Sequence, residues 1–482
     1  MNEHRVPATI IDNLDRGRQR FPDRPLLIDG DRTVSYAEFA ELVEGAATRL
    51  SAEGMRPGDR LAACLRNGLD IAVAIWACAR GRFVFAGLPT NLDRTAWAAL
   101  VDHAQPSLLV AHPEFVADLP PGALPVGDLL TGQRQPWRTT AAAPAPDDLY
   151  AVVYTSGTTG RPKAAAVTHR ASMQVARFYT DLLRLTPDDV TAIHLPFSYV
   201  SGHIAQLNPF MLAGGSAVTM PRFSAPRLVE VIRSHGVTVL DLVPSMFPLL
   251  LRQHDFDPTT RLRAIFFGGA PTPPATIRAL RERMPTVQLF NIYGMSETAG
   301  IITALPDQDI DARPDSVGRA ITGTRVRLAD DGELLVQGPT VMPGYWRDPD
   351  ATAATITDGW LHTGDIARID DDGYVTVVDR KKNMINRGGV KIWPADVEQA
   401  LCSHPAVAQA TAVPVPDGDA GEAVGVCVVL NPGTHVTIPE LKAWARQRLP
   451  IHARPKQVRI LDRLPLGGTG KVDRRAVESL FA

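Results

Sequence analysis

The spacing of apolar residues along this chain changes repeatedly between the period of a strand and the period of a helix. Short apolar runs at Leu61–Cys64 and Leu108–Val110 predict buried strands. Pro25–Gly30 predicts another strand, which a turn and a second short strand follow. In Ser35–Glu53 and Gly68–Arg80 the apolar residues recur at helical spacing. This alternation predicts largely parallel sheets that are covered by helices.

The same alternation continues from residue 149 to about residue 310. Strands are predicted at Val237–Leu242, Ala264–Phe267 and Gln288–Asn291, with helices between them. The stretch Gln135–Asp148 is rich in alanine and proline and predicts a surface connection. We therefore expect two α/β blocks in succession.

Between Ser316 and Asp379 the pattern changes to short strands separated by Gly and Asp turns. The strands predicted in this region are Arg325–Ala329, Glu333–Val336, Ile366–Asp370 and Tyr374–Val378. The remaining residues return to a small α/β pattern. We predict an α/β fold with a large N-terminal domain of parallel-type α/β subdomains and a β-rich subdomain, residues 1–379. Residues 380–382 then connect it to a small C-terminal α/β domain, residues 383–482.

Length and charge set few further limits. The 482 residues correspond to about three units at roughly 150 residues per domain. A net charge of −2 provides no overall field that would attract nucleic acid or an anionic membrane. The charged N-terminus lacks the apolar segment of a signal peptide, and the longest apolar run, near Ile71–Ala79, is too short to span a bilayer. We therefore expect a cytoplasmic protein.

The cysteines and histidines show no metal-binding pattern. None of the four cysteines forms a C-x-x-C pair, and the twelve histidines have no zinc-site spacing. Because the cysteines lie in apolar surroundings, we expect them to be buried and reduced. They are Cys64, Cys78, Cys402 and Cys427.

Lysine is rare, at seven of the 50 basic residues. Arginine can supply most surface charge, but it does not replace a compact ammonium at a crowded phosphoryl centre. The lysines should therefore be enriched where a point charge is needed. They are Lys163 in a Gly/Thr loop, Lys381, Lys382, Lys391 and Lys471 in two C-terminal stretches, and Lys442 and Lys456.

The segment from Tyr154 to Lys163, with the sequence YTSGTTGRPK, has the composition of a polyphosphate-binding loop and follows the apolar strand Leu149–Val153. Its glycines let backbone N–H groups approach phosphate closely, its hydroxyls add donors, and Lys163 adds a charge. It is not a Walker A motif. The predicted phosphate-binding residues are Thr155, Ser156, Gly157, Thr158, Thr159, Gly160 and Lys163.

Further motifs follow in a fixed order, and together they cover nearly the whole chain. They are LPFSYVSGH at 195–203, FGGAP at 267–271, NIYGMSET at 291–298, WLHTGD at 360–365, DRKKNMINRGG at 379–389 and LPLGGTGK at 464–471. In these motifs the chain resembles the adenylate-forming superfamily of acyl-CoA synthetases, adenylation domains and beetle luciferase.

The resemblance implies that ATP and a carboxylic acid react to give an acyl-AMP and pyrophosphate. Charge neutralisation is the main requirement where two anions meet. Glu297 would bind Mg²⁺, and Lys163 and the mobile Lys471 would act in catalysis. The remaining ATP-binding residues would be Gly269, Ala270, Pro271, Asn291, Tyr293, Gly294, Ser296, Asp365 and Arg380, with Asp365 and Arg380 at the ribose.

The resemblance also assigns the thioester-forming half-reaction to the C-terminal part. Lys382 falls on the family's hinge position, about which a mobile C-terminal domain rotates between the two half-reactions. Gly388 and Gly389 resemble the loop that lines the thiol tunnel. CoA, or the phosphopantetheine of a carrier protein, would accept the acyl group.

The acyl pocket would be lined by Tyr199, Gly202, His203, Val243, Gly268 and Met295. Three positions depart from the family pattern. Ala164 replaces a glycine, Tyr199 occupies a position that is often histidine, and Val200 cannot pair with an ammonium as the aspartate of amino-acid-activating domains does. We therefore expect an apolar or aryl acid rather than an α-amino acid.

Four functions stay open on these grounds. An acyl- or aryl-CoA ligase is favoured, and a stand-alone enzyme that loads a carrier protein differs from it only in the acceptor. A luciferase-like adenylating oxidoreductase would consume oxygen. A non-catalytic nucleotide-binding relative is disfavoured because Lys163, Glu297, Asp365 and Lys471 are all present. The sequence leaves the oligomeric state and the length of the acid open.

Overall fold

The computed structural model describes residues 7–127, 143–155, 162–257, 259–418, 421–465 and 472–481. The chain divides into two compact units. The first unit is Met1–Val326 with Val336–Leu361, and the second is Arg327–Leu335 with His362–Ala482. The predicted hinge at residues 380–382 and the domain boundaries beside it stay predictions.

Helices and strands alternate through the described residues. The helices are α1 (Ile10–Arg20), α2 (Tyr36–Ala52), α3 (Leu69–Gly81), α4 (Arg94–Ala104), α5 (Pro113–Val116), α6 (His169–Leu182), α7 (Asn208–Ala213), α8 (Ala225–Ser234), α9 (Phe247–Leu251), α10 (Pro274–Arg283), α11 (Asp307–Ile310), α12 (Pro349–Thr355), α13 (Pro394–Cys402), α14 (Ile438–Arg448) and α15 (Arg474–Ser479). In the described parts of the chain, none of these helices is both long and apolar enough to cross a membrane.

The strands, in chain order, form five sheets. They are β1 (Pro25–Asp29), β2 (Arg32–Ser35), β3 (Arg60–Cys64), β4 (Val84–Gly87), β5 (Leu108–Ala111), β6 (Leu124–Pro125), β7 (Leu149–Thr155), β8 (Lys163–Thr168), β9 (Val190–Ile193), β10 (Ser216–Thr219), β11 (Val239–Leu242), β12 (Ala264–Gly268), β13 (Gln288–Tyr293), β14 (Thr303–Leu305), β15 (Arg319–Ala320), β16 (Arg325–Leu328), β17 (Glu333–Gln337), β18 (Ile356–Thr357), β19 (Trp360–Ile369), β20 (Val375–Arg380), β21 (Ile385–Arg387), β22 (Val390–Ile392), β23 (Val407–Pro416), β24 (Glu422–Leu430) and β25 (Gln457–Ile460).

Two large sheets confirm the predicted α/β class. In the nine-stranded sheet, β1, β10, β9, β11, β12 and β13 are parallel, and antiparallel strands β2, β14 and β15 lie at its edges. In the six-stranded sheet, β6, β5, β3, β4 and β7 are parallel, and β8 returns antiparallel to β7. Since ligands bind at the carboxyl ends of strands in such sheets, the loops after β7, β11, β12 and β13 are the expected site.

The core of the first unit is built on α2 and α3. The apolar run near Ile71–Ala79 is completely buried in α3, where Trp76 packs edge-on against Phe39 of α2 with ring centroids 5.9 Å apart. Removing a buried side chain of this size costs about 3–5 kcal/mol. This run is therefore a core helix, as its short length predicted.

The cysteine prediction needs one correction. All four thiols are free, and Cys64, Cys78 and Cys427 are buried, but Cys402 is partly exposed. It lies at the last position of α13, where a helix surface leaves the core. Burial of the larger part of its side chain still raises the pKa of the Cys402 thiol to about 11.

The β-rich region forms a five-stranded sheet in the order β16, β17, β19, β18, with β20 paired to β19. Its strand β19 is longer than the predicted Ile366–Asp370 because it begins at Trp360. The C-terminal residues of the second unit form the sheet β23, β24, β25 and the hairpin β21–β22. Helices α13 and α14 contribute buried apolar residues to the same cluster as β23 and β24.

Candidate active site

The hairpin β7–β8 brackets the predicted phosphate loop. Thr155 and Lys163 are opposite each other at its end, and Thr155 Oγ1 donates to the Lys163 carbonyl at 3.4 Å. The ammonium of Lys163 lies 5.2 Å from the centre of the Tyr345 ring. The predicted loop residues Ser156, Gly157, Thr158, Thr159 and Gly160 lie outside the described residues.

Glu297 follows β13 on a tight turn. Its carboxylate is buried, and Oε1 accepts a hydrogen bond of 2.7 Å from the Tyr345 hydroxyl. Its backbone carbonyl accepts from Met342 N at 2.9 Å, while Thr298 Oγ1 accepts from Met295 N at 3.2 Å. These bonds hold the carboxylate in one position.

The surroundings of Glu297 fit a magnesium ion that arrives with a nucleotide. Its second oxygen, Oε2, has no hydrogen-bond partner among the described residues. No group of three or more metal-binding side chains exists in the described ranges. Mg²⁺ commonly takes one or two protein carboxylates and completes its shell with phosphate and water. Glu297 can therefore serve as the single protein ligand.

Tyr345 is a site residue that the sequence did not reveal. It pairs with Ala165 of β8, and Trp346 N donates to the Ala164 carbonyl at 2.8 Å. Burial, reinforced by the charge of Glu297, raises the pKa of the Tyr345 phenol far above its ordinary value. The phenol stays protonated and donates to Glu297, while its ring faces Lys163. The only local signal is an aromatic pair after Gly344.

The ends of β12 and β13 form a flat backbone wall, as predicted. At Gly268 a Cβ atom would lie 2.1 Å from the Ile292 carbonyl oxygen, so the strands could not approach this closely with any other residue. Gly269, Ala270 and Pro271 follow it and are exposed. The loop residues that line the end of β13 are partly buried and comprise Tyr293, Gly294, Met295 and Ser296. The side-chain amide of Asn291 donates to the Ser316 carbonyl at 3.2 Å.

In the second unit, the structure brings together the two predicted ribose residues. Asp365 of β19 lies opposite Arg380 of β20, and Arg380 Nε is 2.6 Å from Asp365 Oδ1. The Asp365 amide donates to Thr363 Oγ1 at 3.1 Å, and Arg380 also donates to the Thr363 carbonyl at 3.3 Å. The carboxylate is thus oriented by its own strand and by its neighbour.

Glu333 supports this pair and was also missed from the sequence. Its Oε1 accepts from Gly364 N at 2.8 Å, and its Oε2 lies 3.1 Å from Lys381 Nζ and 3.2 Å from His362 Nδ1. Burial opposes ionisation, but these bonds hold the pKa of the Glu333 carboxyl below its ordinary value. The buried charge fixes the turn that precedes Asp365.

The predicted acyl-pocket residues gather at the carboxyl end of β11 and β12. Val243 continues the extended strand β11 and follows the register that places Leu242 opposite Phe267, which brings it beside Gly268. Tyr199 is partly buried and Gly202 is buried in the segment that precedes α7.

His203 is a core residue. Its Nδ1 lies 2.9 Å from the Phe197 carbonyl, and its ring packs edge-on to Tyr150. Burial lowers the pKa of His203 to about 4, so the imidazole is neutral at physiological pH. Its assignment to the pocket stays a prediction.

The predicted residues of the C-terminal half-reaction do not form a cluster in what the structure describes. Gly388 and Gly389, with φ of +57° and +87°, make the two-residue turn of the exposed hairpin β21–β22. Lys382 is exposed in a single helical turn, Lys381–Asn383. Lys471 lies outside the described residues. Their roles stay predictions.

Comparison with known proteins connects this geometry to one family. Residues 14–346 match the family described as AMP-binding enzyme, and residues 396–471 match the AMP-binding enzyme C-terminal domain. The chain is 32% identical to 3-[(3aS,4S,7aS)-7a-methyl-1,5-dioxo-octahydro-1H-inden-4-yl]propanoyl:CoA ligase of Rhodococcus jostii, over 97% of both chains. It is 33% identical to feruloyl-CoA synthase of an Amycolatopsis species, over 94% of this chain and 95% of the relative.

A solved structure agrees with these relatives. The fold matches o-succinylbenzoate CoA synthetase of Bacillus subtilis in complex with its acyl-adenylate, with a TM-score of 0.87 and 28% identity over 97% of both chains. The same enzyme has also been solved with ATP and a magnesium ion. The match extends through both family models and nearly the full length, and the chain therefore belongs to the family of AMP-binding enzymes.

Proposed function

We propose that this chain is an AMP-forming acid–thiol ligase that activates an apolar or aryl carboxylic acid as its acyl-AMP and transfers the acyl group to CoA. The observation that carries the proposal is the arrangement of Lys163, Tyr345 and Glu297 beside the ends of β12 and β13. The relatives named above as CoA ligases support the same reaction.

In the first half-reaction a carboxylate oxygen attacks the α-phosphorus of ATP, and the bond to pyrophosphate breaks. Lys163 supplies positive charge at the end of the phosphate loop, and Glu297 offers one free oxygen to a cation. Magnesium, when bound, would neutralise phosphate charge as the leaving group departs. Asp365 would accept from the ribose hydroxyls in the orientation that Arg380 and Thr363 impose.

In the second half-reaction the thiol sulfur attacks the acyl carbon, and AMP leaves. We assign Lys471 to the first step, the hinge to Lys382 and the thiol tunnel to Gly388 and Gly389, as the family resemblance implies. The favoured acceptor is free CoA in the cytoplasm. A carrier-protein phosphopantetheine would serve the same chemistry.

The proposal is tested by incubating the purified protein with ATP, magnesium and a pool of aliphatic, aryl and amino acids, with and without CoA. Mass spectrometry should detect an acyl-CoA only when CoA is present. An acyl-AMP that persists despite CoA would identify a carrier protein as the acceptor. Light emission or oxygen consumption would support the luciferase-like alternative, and no adenylate from any acid would overturn the proposal.

A further inference from the structure

Asp241 is a buried carboxylate in β11 that the reaction above does not use. Only 7% of the residue is exposed. It accepts a short hydrogen bond from Ser201 Oγ and a long one, 3.4 Å, from Gln206 Nε2. Among the described residues, no Lys, Arg or His nitrogen forms an ion pair with it. A buried carboxylate without a cation is costly, and burial raises the pKa of Asp241 to about 7.

A second buried aspartate of the same unit shows how this fold treats a structural carboxylate. Asp189 receives two bonds from Arg263, at 2.8 and 2.9 Å. It also accepts from Thr238 Oγ1 at 2.7 Å and from the amide and hydroxyl of Thr186 at 2.8 and 3.0 Å. Burial works against it, yet these bonds hold the pKa of Asp189 below its ordinary value. Asp241 has no comparable set of partners.

The sheet places Asp241 on the side of the acyl pocket. Residues two apart in an extended strand point to the same face, so Asp241 shares a face with Val243. In the neighbouring strand Asp241 is opposite Phe266, which shares its face with Gly268. Val243 and Gly268 are predicted pocket residues. Asp241 therefore lies one row deeper, about 6.6 Å at 3.3 Å per residue.

The surroundings of Asp241 lack hydrogen-bond donors. A carboxylate offers about four acceptor positions, and only two donors reach this one. Beside it, Gln206 Oε1 is buried with no partner, and Gln206 is fully buried. The walls of the row are aromatic, since Tyr179 packs on Phe266 with ring centroids 4.9 Å apart. An aromatic slot that ends in unused acceptors fits a ring or chain with a donor at its far end.

We propose that Asp241, together with Ser201 and Gln206, forms a polar subsite at the inner end of the acyl pocket that binds a hydrogen-bond donor, a hydroxyl or amino group, on the part of the acid remote from its carboxylate. This inference rests on the proposed ligase function. It narrows the apolar or aryl acid to one that carries such a group. The remote position is consistent with Val200, which leaves no partner for an α-ammonium.

The test compares three matched acids, 3-phenylpropanoic acid and its 4-hydroxy and 4-amino derivatives, together with the corresponding straight-chain acids with and without a terminal hydroxyl. The readout is kcat/KM for acid-dependent pyrophosphate release. The wild type should prefer a donor-bearing acid over its parent by about 10- to 100-fold. A preference for the amine over the hydroxyl would identify a charged pair, and the reverse would identify a neutral donor.

Asp241→Asn keeps the shape of the side chain and should reduce the preference to a few-fold, and Asp241→Leu should reverse it in favour of the parent acid. Asp189→Asn is the matched control, because it removes a buried carboxylate of the same unit that has its own partners. It should lower the melting temperature and leave the preference unchanged. If Asp241→Leu fails to fold, the near-isosteric asparagine variant alone decides the outcome.

Two outcomes overturn the inference and are distinguishable. If the wild type forms acyl-CoA from the parent acids as fast as from the substituted ones, and Asp241→Asn has no effect, then Asp241 is a structural residue and the ligase function stands. If no acid gives an adenylate, the ligase function itself fails, and the subsite fails with it.

Discussion

Two buried glutamates in the separate units of this protein are treated in opposite ways. Glu333 has hydrogen bonds or ion pairs on both oxygens, from Gly364, Lys381 and His362. Glu297 receives one bond, from the Tyr345 hydroxyl, and its second oxygen has no partner in the described part of the chain. The difference teaches that a carboxylate with all its acceptors used holds the fold, whereas one with an unused oxygen is prepared for a ligand.

The sharpest way to break this comparison is Glu297→Gln. The amide keeps an oxygen for the Tyr345 hydroxyl but loses the charge that a magnesium ion needs, so kcat/KM for pyrophosphate release should fall by about 100-fold or more. The urea midpoint should change little. Wild-type activity in this variant would contradict the assignment of Glu297 to the metal.

Asp241 extends the comparison to stability. Its pKa is raised from 3.8 to about 7 in the folded protein, so the folded state holds the proton more tightly than the unfolded state. Its contribution is therefore fully favourable below the unfolded value and is lost as pH rises toward 7. In Asp241→Asn this loss should disappear, which makes the variant more stable than wild type by a few kcal/mol at pH 8, at about 1.4 kcal/mol per tenfold shift in ionisation. Urea unfolding at pH 5 and pH 8 measures it, and equal pH dependence in both proteins would contradict it.

Removing the satisfied glutamate should act on stability and on the ribose pair together. Glu333→Ala leaves the Gly364 amide and Lys381 without their acceptor, which should cost about 1–3 kcal/mol in the free energy of unfolding. Because the Gly364–Asp365 turn loosens, the KM for ATP should rise more than kcat falls. A variant with normal stability and an unchanged KM for ATP would show that Glu333 supports neither.

The smallest expected effect is that of Tyr345→Phe. The ring that faces Lys163 remains, and only the bond to Glu297 is lost, so kcat should fall by about 3- to 10-fold, equivalent to roughly 1 kcal/mol. Tyr36→Phe is the control, since the Tyr36 hydroxyl donates to the Gly215 carbonyl at 2.8 Å in the core. It should lower stability without changing kcat. Equal effects of both variants on kcat would remove the positioning role of Tyr345.

The sequence predicted those features that depend on neighbours in the chain. The strand before the phosphate loop, the flat wall after β12 and the facing of Asp365 and Arg380 all follow from local patterns in a strand, a glycine pair and a strand pairing. Tyr345 could not be found this way, because it reaches Lys163 and Glu297 only through its pairing with Ala165 of β8.

Glu333 and Asp241 escaped the sequence for a similar reason. The role of Glu333 depends on partners that lie about thirty or more residues further along the chain, as its bonds to Gly364 and Lys381 show. A single acidic residue in the apolar strand β11 was a local signal for Asp241. Its meaning, however, depends on which face of the sheet holds the pocket, and only the register of β11 with β12 defines that face.

The central claim is that an acyl-AMP precedes the thioester, and an oxygen label tests it most directly. The acid would be supplied with ¹⁸O in both carboxylate oxygens, together with ATP, magnesium and CoA, and the products would be weighed by mass spectrometry. When a carboxylate oxygen attacks the α-phosphorus and the thiol then attacks the acyl carbon, that oxygen leaves with AMP. The account predicts one ¹⁸O in AMP for each acyl-CoA formed. Unlabelled AMP, or ADP with labelled inorganic phosphate, would contradict it.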